Sequence, residues 1–219
     1  MQETCKQAIS WGATNAVPIC VKDVVVSDWV RLKCQYGCAW YGRCFTCPPF
    51  TPTPAQTRKI LSEYSEAILL RFVPDKPHAN REESVKYETF VRIVAAKVER
   101  ELFLKQFYKS FALHSGPCVL CKLCVILSPT GPFRTASSLV KEAIRKPALI
   151  KKAIRKPSLV KEFGEHRGGI KCRFPQIARP SMEALGIDVF ATAKNAGFDL
   201  KVITSRSEAP TYFGMILVR

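Results

Sequence analysis

Apolar residues along this chain fall into short runs and one long periodic stretch. Residues 67–73 (AILLRFV) form an unbroken apolar run of the length of a buried strand. Residues 24–32 are rich in β-branched side chains and read as another strand, leading into a cysteine-rich segment. From 81 to about 111 the spacing changes. Val85, Phe90, Ile93, Val94, Val98, Leu102 and Phe107 can share one face of a helix. Residues 181–196 read as a further helix ended by Gly197, and 200–204 and 212–218 as strands. Residues 1–22 read as irregular or partly helical. Strands and helices that do not strictly alternate predict an α+β fold: a small, mostly antiparallel sheet flanked by helices, in one domain spanning 1–219.

Two segments interrupt this pattern. Residues 34–54 are rich in Gly, Pro and aromatic residues and predict an ordered loop, after which Thr53 as N-cap and Pro54 in the first turn start a helix. Within 137–163 a ten-residue unit recurs as SSLVKEAIRK, PALIKKAIRK and PSLVKEF. Its prolines would restart a helix at each unit. Residues 131–170 therefore read as a basic, amphipathic helical insertion. Between Arg134 and Arg167 ten Lys or Arg stand against three Glu, supplying +7 of the formal +16 charge.

No apolar run approaches the roughly 20 residues of a membrane span. The first residues lack the basic and apolar regions of an export signal, so the expected location is the cytoplasm. There are ten cysteines. In a reducing compartment, clustered cysteines point to metal ligation rather than disulfides, because thiolates are the soft ligands that zinc and iron–sulfur centres use. No P-loop, GxGxxG or Ser–His–Asp pattern is present, so nucleotide binding and hydrolysis have no support.

Cys118-x2-Cys121-x2-Cys124, with Cys172 downstream, is the stronger motif. Two-residue spacings wrap three thiolates around a corner of a [4Fe–4S] cubane, and the ferredoxin-type run closes on a cysteine followed by proline. Here proline comes three residues later, in Cys172-Arg173-Phe174-Pro175. Zinc sites usually pair their ligands as two knuckles, which a triple fits less well. The other motif, Cys34-x3-Cys38-x5-Cys44-x2-Cys47, matches no ferredoxin run, so a second [4Fe–4S] cluster and zinc both stand as readings. Cys47-Pro48 adds a crossed pairing, in which Cys47 serves the second set and Cys172 the first.

The stretches KCQYGCAWYGRCFTCPPFTPTPAQTRKIL (33–61), LHSGPCVLCKLC (113–124), CRFPQIARPSMEALGIDVFATAKNAGF (172–198) and TYFGMILV (211–218) resemble the predicted metal-binding protein family known as domain of unknown function 2284. The resemblance implies a metal-binding, iron–sulfur protein with no settled reaction. It also implies that Cys34, Cys38 and Cys47 match the family's first motif, whereas Cys44 and the repeat insertion are departures. Three thiolates would leave one iron of a cubane open.

Several residues carry plainer readings. Trp40, Tyr41 and Phe45 fill core beside the first loop or shield a centre from water. His114 reads as a satisfied structural histidine. Ser181 caps a helix whose N-terminus favours Glu183, and an anion site at Arg173 and Arg179 is the alternative. Cys5 and Cys20 are ordinary thiols. The basic insertion suits an acidic redox partner protein or an anionic membrane surface; nucleic acid is disfavoured because aromatics for base stacking are absent there. The leading expectation is electron transfer within a larger redox complex. An enzyme with an open-site cluster and a zinc-stabilised scaffold are the alternatives.

Overall fold

A computed structural model of the chain describes residues 1–127, 172–205 and 207–219. Helix α1 (Gln2–Ser10) and strand β1 (Asn15–Cys20) open the fold, followed by helix α2 (Asp28–Gly37). Then come α3 (Pro54–Leu61), β2 (Glu66–Phe72), the long helix α4 (Arg81–Leu104) and the short β3 (Phe111–Leu113). The last described part adds a 3-10 turn (Glu183–Leu185), α5 (Val189–Asn195) and β4 (Tyr212–Leu217). The sheet has the order β1-β2-β4-β3, and each neighbouring pair is antiparallel. The fold is α+β, as the sequence predicts. The basic insertion at 131–170 and its repeats lie outside the described residues.

The apolar run becomes β2 because that strand is covered on both sides. Ile68, Leu70 and Phe72 pack under α1 and α4, against Ala8, Val91, Val94, Ala95, Val98 and Leu102. Ala67 and Leu69 point the other way, into a second core with Met182, Leu185, Ile187 and Ala193. All five strand residues are fully buried. A strand with two dry faces loses the apolar–polar alternation of a half-exposed one. The helix start at Thr53 also stands: its hydroxyl accepts from Gln56 N, and the Gln56 side chain accepts from Thr53 N at 2.8 Å.

Four expectations change. Residues 24–32 form no strand; Val26 makes a single bridge to Ile187, and α2 begins after Ser27, which holds the N-cap position without a side-chain cap bond, with Asp28 in the first turn. Polar start signals outweigh a β-branched composition there, which is a weak prior. Residues 200–204 are not a strand either, because Thr204 N and Ser205 N turn in to donate to the Glu208 carboxylate. The helix predicted over 181–196 is broken at Gly186, whose φ is +82°. A Cβ there would lie 2.8 Å from Pro54 Cγ. Asp188 then caps α5 by accepting from Ala191 N at 3.0 Å. Finally, α4 stops at Leu104, and its inner stripe is rotated. Phe90 and Ile93 are on the exposed side, while Arg92 is fully buried.

Candidate metal centre

The first cysteine loop hangs from α2. Cys34 is on the helix itself, and Cys38 stands exposed at its C-cap. Arg31, one turn before Cys34, donates to Thr51 Oγ1 at 3.1 Å and to the Ala184 carbonyl. Thr51 Oγ1 donates to the same carbonyl at 2.7 Å, and Thr57 Oγ1 donates to Leu185 O at 2.8 Å. Both ends of the loop are thus tied to the 3-10 turn at Glu183–Leu185. Between them the chain folds back through successive turns. Gly42 N donates to Pro48 O at 2.7 Å and Cys47 N to Cys44 O at 3.0 Å. These turns carry Cys44 and Cys47 inward to full burial. The Cys34 thiol faces the Glu183 carbonyl at 3.8 Å, and its pKa is raised, mainly by burial and then by the neighbouring Cys38.

The second motif is a run of tight turns with one repeated local device. Phe174 N–H donates to the Cys172 sulfur at 3.4 Å, and the Leu120 and Ile126 amides stand in the same way against the sulfurs of Cys118 and Cys124, acting to lower their pKa values. In each case the donor is the amide two residues on, the sulfur counterpart of an Asx-turn. Arg173 Nη1 donates to Leu123 O at 2.8 Å, fastening Cys172 to the triple. Cys44, Cys118, Cys121, Cys124 and Cys172 line one cavity, with Phe45, Leu120 and Phe174 in its wall.

The two motifs, far apart in sequence, meet at Cys44. Its thiol donates to Cys118 O at 3.6 Å and lies against the sulfurs of Cys124 and Cys47. Holding the proton shared with those sulfurs raises the Cys44 pKa, while the same contacts lower Cys124 to about 5 and lower Cys47. Cys118 N–H donates to Cys47 and Phe45 N–H to Cys124, so each motif donates a backbone amide to the other's sulfur. The Thr46 hydroxyl also sits against Cys47. Cys5 and Cys20, on α1 and β1, stand among neither set.

Beneath this meeting point lies Arg92, which sequence patterning misses because it takes a position on the inner face of α4 where an apolar residue would be expected. It donates from Nη1 to Glu88 O at 3.2 Å, and from Nη2 to Ser115 O, Gly116 O and Pro117 O at 3.2, 3.0 and 2.5 Å. The three carbonyls immediately before Cys118 are thereby gathered on one guanidinium. The acidic groups that act on it are, in order of strength, Cys118, Glu88, Cys47 and Cys44. Only the i+4 pairing of Glu88 and Arg92 on a mostly apolar stripe could have signalled it.

His114 braces the other side. Its backbone bridges to Pro180 and Met182, and its Nε2 lies 3.0 Å from Ile177 O. A carbonyl partner makes Nε2 the protonated nitrogen; Nδ1 is buried without a partner among the described residues. Burial, with Arg92 nearby, pushes the imidazole pKa down to about 3, so the ring is neutral. Ser181 accepts from Ala184 N at 3.1 Å, a cap on the 3-10 turn. Glu183 does not lie free at a helix start. Its carboxyl end is enclosed and its pKa is raised by burial, although the residue as a whole keeps partial exposure. Arg179 is committed to Glu99 through contacts of 3.0 and 2.6 Å. Trp40, Tyr41 and Phe45 are half-buried around the first loop, and Phe45 meets Phe50 edge to face.

The donor set is thiolate, with backbone amides aimed at sulfur, which suits a soft metal centre. Among the described residues, no three His, Cys, Asp or Glu side chains converge as a single-ion site. Beside the cysteines a pocket of about 220 Å³ opens between Phe45, Phe50, Pro52, Ala178 and Pro180, with Cys172 at its edge. No described helix is long and apolar enough to cross a membrane.

Neither a curated protein nor a solved structure matches this chain. The family model for domain of unknown function 2284, a predicted metal-binding protein, matches residues 17–218, and the chain belongs to that family.

Proposed function

We propose that the metal is held as iron–sulfur clusters and that the protein transfers electrons within a larger redox complex. Cys118, Cys121, Cys124 and Cys172 would hold one [4Fe–4S] cluster, and Cys34, Cys38, Cys44 and Cys47 a second. The observation that carries this reading is the i+2 amide aimed at Cys118, at Cys124 and at Cys172. Amide hydrogen bonds to sulfur are a main means by which proteins stabilise and tune these clusters. A mononuclear zinc site needs four donors converging on one point, whereas a cubane spreads its ligands over separate irons. When bound, such a cluster supplies one-electron chemistry.

A second reading concerns the first loop. Cys44 leans toward Cys124 and Cys118, which supports a cluster at the first motif held by the three thiolates of Cys34, Cys38 and Cys47, with one iron open. That arrangement would suit an enzyme acting on a small substrate. The basic insertion would dock an acidic redox partner protein or an anionic membrane surface, in the cytoplasm.

Anaerobic purification with iron, sulfide and zinc analysis tests the first reading. About eight iron and eight sulfide per chain are expected if both sites hold cubanes. Stoichiometric zinc without sulfide would overturn it. For the second reading, Cys44→Ala should retain its full iron; loss of one cubane's worth would make Cys44 a ligand.

A further inference from the structure

We propose that Arg92 is a positioning residue for the cluster at Cys118, Cys121, Cys124 and Cys172, shaping its loop through four backbone carbonyls and favouring its reduced state through a buried positive charge and a free N–H. The proposal rests on the iron–sulfur reading above.

Arg92 is fully buried, yet among the described residues no carboxylate hydrogen-bonds to it. Its described partners are all carbonyls: Glu88 O and the three of Ser115, Gly116 and Pro117. The Glu88 carboxylate acts on it electrostatically but makes no hydrogen bond to it: Oε1 is held by Arg81 at 2.7 Å and Ser84 at 2.9 Å, and Oε2 is buried without a partner among the described residues. A buried charge without a counter-ion is costly, and native proteins rarely keep one. The Nε–H of Arg92 is buried and has no partner among the described residues. Guanidinium donors in that position are normally used. An anion with acceptor capacity on the cysteine side would supply the missing partner and add to the field of the buried Glu88 carboxylate. The nearby sulfurs of Cys118, Cys47 and Cys44 mark where that anion lies. A cubane with four thiolates is an anion in either oxidation state and becomes more negative on gaining an electron. A fixed cation beside it favours that gain, because Coulomb attraction acts at low effective dielectric in the interior.

The carbonyl contacts and the charge separate experimentally. Arg92→Gln removes the charge and part of the fork; Arg92→Lys keeps the charge and loses the fork. Glu88→Gln removes a neighbouring negative charge without touching the guanidinium's own hydrogen bonds. The measurement is an anaerobic redox titration of each purified protein followed by electron paramagnetic resonance, with iron content in parallel. Arg92→Gln should lower the potential, making the cluster about tenfold less reduced at a fixed ambient potential, or about 59 mV for one electron. Arg92→Lys should restore most of the potential with reduced iron occupancy, and Glu88→Gln should shift it upward. If Arg92→Gln does not fold, the Lys and Glu88 variants still decide. Unchanged potentials in loaded variants, or shifts of the same sign for Arg92→Gln and Glu88→Gln, would overturn the proposal. A wild-type protein with no iron and no sulfide would instead overturn the iron–sulfur reading itself.

Discussion

The two cysteine motifs are built in different ways. The segments carrying Cys118, Cys124 and Cys172 each place an amide two residues on against the sulfur, and Arg92 gathers the carbonyls that precede the first of them. That geometry is present in the polypeptide itself. The Cys34–Cys47 motif is distributed instead: one thiol on a helix, one exposed at its cap, two carried inward by turns. Its anchoring comes from outside, through Arg31, Thr51 and Thr57 to the 3-10 turn at Glu183–Leu185. A motif whose sulfurs have local amides is preorganised, while one assembled from tertiary contacts is only as rigid as those contacts.

The sharpest way to test this contrast is to remove one sulfur from each motif. Cys118→Ala should cost about half the iron, and Cys38→Ala should leave the second-motif centre and its spectrum intact. If Cys38→Ala strips both centres, the motifs are one cooperative site and the contrast fails. Next in size is the strap that holds the Cys172 segment to α4. Arg179 and Glu99 pair in a mostly buried setting, so Arg179→Ala should destabilise the fold by about 3 kcal/mol. Urea unfolding measures it, and a change below about 1 kcal/mol would show the strap to be dispensable.

His114 provides a pH-dependent test. Burial holds its pKa at about 3 in the folded chain, against about 6.5 unfolded. Below about pH 6.5 the unfolded chain binds a proton that the native one does not, so stability falls as the pH falls. Between pH 7 and 5 this amounts to about 2 kcal/mol. Glu183 acts with the opposite sign, since its raised pKa gives stability that is lost as pH rises. The informative quantity is therefore the difference in slope between the protein and His114→Gln; equal slopes would mean the imidazole titrates normally. The smallest effect belongs to the first loop's exit. Thr53→Ala removes the capping box of α3 and should cost about 1 kcal/mol of stability, with iron content unchanged. Loss of iron in that variant would show the first motif to be more tightly coupled to α3 than the contrast allows.

Much of the fold was legible in the sequence where one local cause dominated. The double-sided burial of β2 shows as an apolar run, and the Thr53-Pro54 start shows as a cap. The failures share another cause. Gly186 breaks a good helical pattern because Pro54, over a hundred residues away, packs against it. The stripe of α4 is rotated because a buried arginine, not Phe90 or Ile93, faces the site. Spacing groups Cys44 with Cys47, which it stays beside, but has no means of showing that the loop also brings it to Cys124. Contacts between distant segments have no local signature, and Arg92 is the clearest case.

The described chain leaves the centre just after the short turn at Val125–Leu127 and re-enters it at Cys172. Both ends of the intervening segment are therefore clamped, one by the turn after Cys124 and the other by Arg173 on Leu123. The closure entropy of a chain segment held at two fixed ends grows only with the logarithm of its length, so doubling a length costs about 0.6 kcal/mol. A stem closed at the centre can carry another ten-residue unit at almost no expense to the fold. Duplication at this place is thus nearly invisible to selection for stability, and such a unit can multiply before it has any work to do.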